Sequence, residues 1–401
     1  MIEKTSVLSI VWNGVHMRFT LNEKTLTLYL EGELNSYNAD NVEKEIDETL
    51  SKQSFEKLII DFSHIFYISS AGLRIMLKLK QKYNDVSIVE TTLEVYDVFN
   101  MTGFTNIMDI KKGLKRVYLS GAQVIGEGYY STVYRVDKDT IIKVFNRVSD
   151  PEQIERELKL AKEAFVLGIP TAISFDIVRV DDGKLGVRYE MLDCMSLRNA
   201  YVEYPEKREE LIEKYAALLK KMNTTECVDP NIPDKKAAYL TKLEKIKSLL
   251  PEDVYNKLKK MLSEIPERKT LIHGDCHFKN IMVQNGELLL IDMDTLSVGY
   301  PIYELATLYA PYVAFNEDEP GNSVNFFGVS DEDAEALYDG LLNHYFEKVD
   351  QATKDKIRIV AYVHMIRWTS NNEPNNTKRI EGCKQRLFNL LEKYDDLDIG
   401  L

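Results

Sequence analysis

Two short runs carry the residues best suited to chemistry. HGDCHFKN spans His273 to Asn280, and LLLIDMD ends with Asp292 and Asp294. Their order and spacing suit phosphoryl transfer from a magnesium nucleotide. Asp275 would orient a hydroxyl and accept its proton. Asn280, five residues on, and Asp292 would hold metal ions at the phosphates. Asp294 is either a further metal ligand or the cap of the next turn. His273 reads as a structural residue that holds the loop by hydrogen bonds. Cys276, beside Asp275, reads as a candidate for oxidation.

Further parts of such a machine lie upstream in the expected order. In VIGEGYYSTVYRV, Gly126 and Gly128, with Ser131 and Val133, fit a glycine turn whose backbone approaches phosphate closely. IIKVF sets Lys143 on a third strand, facing the α- and β-phosphates. The following helix, DPEQIERELKLAKEAFVLG, has Asp150 at its cap and Pro151 in its first turn. It offers Glu157 as the ion-pair partner of Lys143, with Glu155 and Glu163 as rivals. The stretch YEMLDCMSL would join two lobes, with Glu190 and Leu192 as backbone contacts for adenine. No GKS or GKT follows the glycines, so this is not a Walker loop.

The elements that must position these residues fall into two halves. The chain has 401 residues, 44% apolar and 29% charged, which suits a globular protein of two or three domains. The net charge is −13, which argues against general binding to nucleic acid or an anionic membrane. The first 113 residues hold 16 acidic and 12 basic residues, net −4, which leaves −9 for the remainder. No apolar run approaches the ~20 residues of a membrane span, and the first residues lack a signal-peptide pattern. The four cysteines, Cys194, Cys227, Cys276 and Cys383, form no CxxC pair, which predicts reduced thiols and a cytoplasmic location.

Residues 1–113 predict a small α/β unit. Its strands lie in VLSIVWNG, HMRFTL, TLTLYLEG, KLIIDFS and VSIVE. Its helices begin near Asn38 or Asp40, at Ser69 or Ser70, and at LEVYDVFNMTG. Residues 114–120 read as a linker, 121–192 as a strand-rich lobe and 193–401 as a helical lobe.

The run DFSHIFYISSAGLRIML, 61–77, makes the first half resemble the STAS domain of bacterial anti-sigma-factor antagonists. The resemblance implies a protein partner and a phosphorylated serine at a helix start. Aligned on Gly72, that serine position is Ala71 here and the usual Asp is Ser69, so Ser70 is the nearest hydroxyl. Phosphate at a helix N-terminus meets free N–H groups, so a switch at Ser70 is physically sound; the alternative is that both serines serve as caps.

The glycine loop, Lys143, HGDCHFKN, IDMD and GYPIYELA make residues 121 to about 395 resemble the aminoglycoside phosphotransferase and choline kinase branch of the protein-kinase-like fold. The expected class is therefore α+β: a STAS-like α/β domain, then a bilobal kinase-like fold. The resemblance implies ATP and Mg. Glu304 stands where that branch usually has Asp, which puts its reach to the catalytic loop in question. Gly274 replaces the arginine of H-R-D, and Glu304 follows Asp292 by twelve positions, too few for an activation segment and peptide platform.

The implied acceptor is a small hydroxyl compound of the aminoglycoside or amino-alcohol type. The acidic string NEDEP, 316–320, would then either attract its cation or form a solvated loop. Tyr239, Tyr309 and Tyr312 would either wall a cationic site or belong to the core. Two alternatives stand beside this reading: a protein serine kinase in a partner-switching pathway, and an inactive nucleotide-binding interaction protein.

Overall fold

The computed structural model describes residues 10–12, 15–128, 131–147, 151–180, 183–346, 348–394 and 401. Two compact units divide the chain, Met1–Val117 and Tyr118–Leu401. The architecture is α+β.

In the first unit, β1 (Ile10–Trp12), β2 (Val15–Asn22) and β3 (Thr25–Leu34) form an antiparallel meander. Helix α1 (Ala39–Ser51) leads to β4 (Lys57–Ile68), α2 (Ser70–Lys82) to β5 (Asp85–Thr91), and α3 (Leu93–Met101) to β6 (Asp109–Lys112). These crossovers make β3 to β6 parallel neighbours, and the sheet order is the chain order. Alternate residues of β2 and β3 are buried, while Leu58, Ile60 and Phe62 fill the sheet centre. Val42, Ile46 and Leu50 of α1, and Ile75, Met76 and Leu79 of α2, bury the helical stripe. Lys78–Glu43 and Lys82–Asp47 ion pairs join the two helices at 2.5 and 2.7 Å.

Ser69 caps α2 by accepting the Gly72 N–H at 3.4 Å, and Ser70 is an exposed residue of the first turn. Asn38 stands at the start of α1, but its side chain accepts the Asn35 N–H instead of capping the helix. The strand expected over 57–63 runs on to Ile68, leaving Phe66 and Tyr67 exposed. Lys115–Val117, read from sequence as linker, forms the short strand β7.

The second unit begins with β8 (Gln123–Glu127), β9 (Ser131–Arg135) and β10 (Thr140–Phe145). Helix α4 (Pro151–Val166) and strands β11 (Ser174–Val180) and β12 (Leu185–Glu190) follow. These five strands run antiparallel in the order β11-β12-β10-β9-β8. Asp150, the expected cap of α4, lies outside the described residues.

The helical part holds β13 (Met195–Ser196), α5 (Leu197–Glu203), α6 (Arg208–Thr224), α7 (Lys235–Lys245) and α8 (Glu252–Glu264). Four short strands follow: β14 (Leu271–Ile272), β15 (Ile281–Gln284), β16 (Glu287–Leu290) and β17 (Ser297–Val298). The chain then forms α9 (Ile302–Tyr309), α10 (Phe315–Asp318), α11 (Asn322–Phe327), α12 (Asp331–Phe346), α13 (Gln351–Asn372) and α14 (Thr377–Lys393). Strands β14 and β17 pair with each other, and β15 pairs with β16; these two ladders frame the loop from His273 to Asn280. Every residue of α9 is buried, so the loop rests on a rigid apolar base.

A Cβ added at Gly72 would stand 2.8 Å from Ile68 Cγ1 and 2.9 Å from Leu34 Cβ. Gly72→Ala is therefore expected to cost about 1–3 kcal/mol by overpacking, and Ser69→Ala about 1 kcal/mol by loss of the cap. Denaturant unfolding of the full chain, read through hydrogen exchange in β3 and β4, checks both; an unchanged Gly72→Ala would contradict the packing.

Candidate active site

Lys143 projects from β10, opposite Val133 of β9. Its Nζ donates to Glu157 Oε1 at 2.9 Å and to Asp292 Oδ1 at 2.7 Å. One ammonium thus ties the strand-rich sheet, α4 and the turn after β16. Burial alone would make Lys143 easier to deprotonate, but Asp292 and then Glu157 outweigh it and raise its pKa. Burial raises Glu157, with Lys143 opposing. Asp292 is lowered, because Lys143 outweighs the cost of burial. Glu155 is exposed, and α4 turns Glu157 toward Lys143.

Glu304 shapes the loop that carries Asp275. Its Oε2 accepts the His273 N–H at 2.6 Å and its Oε1 accepts the Gly274 N–H at 3.1 Å. The longer carboxylate therefore does reach the loop. Burial pushes it up to about 7, while Lys235 and the two N–H groups hold it down. Both of its oxygens act as acceptors, which favours the ionised form.

His273 is fully buried. Its Nε2 meets Ile291 O at 3.1 Å and its Nδ1 accepts the Asp275 N–H at 3.3 Å, so it serves as a neutral brace. Thr295 Oγ1 donates to His273 O at 2.6 Å. Asn280 Nδ2 donates to Asp275 O at 2.9 Å and to Oδ2 at 3.1 Å, leaving its own side-chain oxygen to meet a cation. Burial raises Asp275 to about 6, although 51% of its side chain opens toward water, which tempers that rise.

Asp292 adopts a left-handed conformation, φ 65° and ψ 66°, which turns the chain sharply into Met293–Thr295. Crowding by neighbouring groups, then Asp292, push Asp294 up to about 7, although its exposure to water tempers that rise. Two carboxylates that repel each other beside an amide oxygen suit Mg²⁺, which takes one or two carboxylates and completes its shell with phosphate and water. No group of three or more His, Cys, Asp or Glu able to hold a metal occurs among the described residues.

A cleft of about 540 Å³ gathers Gly126, Gly128, Ser131, Val133, Lys143, Glu190, Leu192, Asn280 and Asp292. The Gly128 N–H donates to Ser131 O at 2.8 Å, which closes the glycine turn; its tip, residues 129–130, lies outside the described residues. The Glu190 N–H donates to Ile173 O at 3.0 Å and the Met191 N–H to Asp139 O at 2.8 Å. The Leu192 N–H has no backbone partner among the described residues.

Several expectations need correction. Cys276 is fully buried and its thiol is pushed well up by burial, so it is no exposed oxidisable group. The NEDEP string is no free acidic lure and only its end is solvated: α10 covers Phe315–Asp318 with Asn316 and Asp318 buried, while Glu319 and Pro320 are exposed. Glu317 accepts from Tyr309 and Tyr362 at 2.8 and 2.9 Å and pairs with Arg386 at 2.9 Å. Asp318 pairs with Arg386, and Glu319 with Arg379 at 2.6 Å. Tyr239, Tyr309 and Tyr312 are buried in the core.

Two site residues escaped the sequence reading. His277 is buried, with Nε2 3.7 Å from Asp275 Oδ1; burial lowers it to about 4, so it is neutral. Its place two residues after Asp275 was a usable signal. Lys235 gave none, being one lysine of a polar helix start. Its Nζ fills the space beside Gly274, where an added Cβ would stand 2.2 Å away.

Glu304→Ala leaves two buried N–H groups without an acceptor and is expected to cost about 2–4 kcal/mol. Glu304→Gln, which keeps one acceptor oxygen, should cost about half as much. Denaturant midpoints decide: equal losses would mean that the charge facing Lys235 matters more than the N–H contacts.

The profile of the phosphotransferase enzyme family (APH) matches residues 121–350, and that of the STAS domain matches residues 16–117. A putative anti-sigma factor antagonist, BtrV of Bordetella bronchiseptica, is 31% identical over 100 residues, covering 23% of this chain and 85% of that protein. An anti-sigma F factor antagonist of Paenibacillus polymyxa is 25% identical over 89 residues, covering 21% of this chain and 76% of that one. Among solved structures, a thermostable mutant of aminoglycoside phosphotransferase APH(4)-Ia covers 68% of this chain and 94% of its own at 12% identity, TM-score 0.49. A choline/ethanolamine kinase family protein from Mesorhizobium loti covers 68% and 88% at 15% identity, TM-score 0.45. No helix among the described residues is long and apolar enough to cross a membrane. This chain carries a STAS domain ahead of a kinase-like catalytic unit, and it belongs to the phosphotransferase enzyme family.

Proposed function

We propose that the chain moves the γ-phosphate of ATP to a hydroxyl of a small molecule, with Asp275 as the base. The observation that carries this reading is the bridge from Lys143 to Glu157 and Asp292 at one cleft, which the glycine strand and Asn280 also line. Glu157 holds Lys143 in place for the α- and β-phosphates. The backbone at Gly126 and Gly128, with Ser131 and Val133, covers the phosphates. With the Glu190 N–H engaged on Ile173, the Leu192 N–H is the better candidate for adenine. Asn280, Asp292 and Asp294 would hold Mg²⁺, which supplies neutralisation of phosphate charge. Asp275, fixed by Asn280 and by its own N–H on His273, orients the acceptor hydroxyl and takes its proton.

The path from Asp292 to Glu304 supports a small acceptor. It consists of one tight turn, β17 and the start of α9, with no platform for a peptide. Asp275→Ala is expected to lower transfer at least about a thousandfold while Mg–ATP still raises the melting temperature. An absent Mg–ATP shift in the unaltered chain would remove the nucleotide reading. A retained shift with no Asp275-dependent transfer to any acceptor would favour an inactive nucleotide-binding protein.

One observation favours a second reading, in which the acceptor is a protein serine. Ser70 is exposed in the first turn of α2, where added phosphate meets unpaired N–H groups. Labelled γ-phosphate appearing on residues 1–113, and lost in both Asp275→Ala and Ser70→Ala, would establish it. Label confined to small molecules would exclude it.

A further inference from the structure

Basic side chains run along α7 and onto α13, starting beside the catalytic loop. Lys235, at the start of α7, is 9% exposed, and its Nζ stands beside Gly274. No carboxylate forms an ion pair with it among the described residues; Glu304, Asp275 and Asp294 act on it from longer range, and burial lowers its pKa. Seven residues further along α7, Lys242 meets His364 Nδ1 at 2.9 Å and lies over the Tyr239 ring at 4.4 Å. Its charged neighbours are Lys235 and Arg367, both cations. Burial and their repulsion bring its pKa down to about 7. Arg367, one turn after His364 on α13, donates to Asn371 Oδ1 at 3.1 Å and meets no carboxylate among the described residues. The His364 ring is neutral, since burial lowers its pKa well below the usual value.

Half-buried cations that face each other without a counter-charge are costly, and an anion between them removes the cost. The acids of the NEDEP string are engaged with other cations: Glu317, Asp318 and Glu319 are held by Arg386 and Arg379. A polycationic acceptor would meet repulsion on this face, and the NEDEP string cannot offset it.

We infer that the acceptor carries an anionic group, a phosphate ester or a carboxylate, which docks on Lys242 and Arg367 while its hydroxyl lies at Asp275. Lys235 sits between the two ends and links the basic face to the catalytic loop. Seven helical residues span about 10 Å, the length of a small sugar phosphate or sugar acid. This inference rests on the phosphotransferase reading and replaces the amino-alcohol acceptor with one of opposite charge.

The full chain with Mg–ATP, offered glucose 6-phosphate, gluconate, choline and kanamycin, tests it. Asp275-dependent transfer to one or both anionic compounds is expected, and which one accepts separates phosphate ester from carboxylate. Lys242→Met and Arg367→Met should each raise the KM for that acceptor about tenfold or more, with kcat within about threefold, and Lys242→Arg should restore it. Transfer to choline or kanamycin but to neither anion overturns the inference, as does an unchanged KM in both methionine variants.

A binding readout separates this from the transferase reading itself. Inorganic phosphate should protect Lys242 from acetic anhydride, as read by peptide mass spectrometry, and choline should not. Absent protection overturns the anion site even when no acceptor is turned over. Protection without any Asp275-dependent transfer sinks the transferase reading and leaves the anion site standing.

Discussion

A single ammonium holds the catalytic unit in register. Lys143 lies 149 positions from Asp292 in the chain, yet its Nζ joins that carboxylate and Glu157. A largely buried cation needs partners, and Glu157, largely buried, and Asp292, partly open to water, supply them and offset its desolvation. The strand-rich sheet, α4 and the turn after β16 are thereby brought to one point. The cleft exists where they meet, and its shape depends on the three side chains staying charged.

The same rule, that buried charge must be matched, organises the rest of the unit unevenly. Glu304 is matched by two backbone N–H groups, and the acids of α10 by arginines of α13 and α14. Those pairs are internal and hold helices together. Lys235 and Lys242 of α7 and Arg367 of α13 form no ion pair with an acid among the described residues. A unit with net negative charge can thus hold basic side chains that no acid pairs with, because charge balance is local while net charge is global.

Sequence revealed most of the parts and few of their relations. The glycine turn, Lys143, Asp275, Asn280 and Asp292 were legible because phosphoryl transfer demands certain groups at short spacing. The helices of the second unit were legible from apolar periodicity, and so was the alternation of strand and helix in the first. The fate of NEDEP was not, because its arginine partners lie 40 to 70 residues away and only packing selects them. Cys276 stood as a candidate for oxidation beside Asp275, yet the backbone turn that exposes Asp275 buries the thiol. Glu304 drew doubt because the rule came from a shorter side chain, and the position of α9 supplies the reach. Lys235 was invisible, since its role arises from an empty space in a residue far down the chain.

That empty space ties two positions together. Gly274 has φ +82°, and Lys235 fills the volume that any side chain there would need. A side chain at 274 must displace the ammonium and crowd Thr295 O, 3.1 Å from an added Cβ, as well as accept left-handed backbone. An arginine at this point, as in H-R-D, would bring a second cation up against the Lys235 ammonium. The two sources of positive charge, from within the loop or from α7, therefore compete for one space, and a change at either position alters the cost of a change at the other.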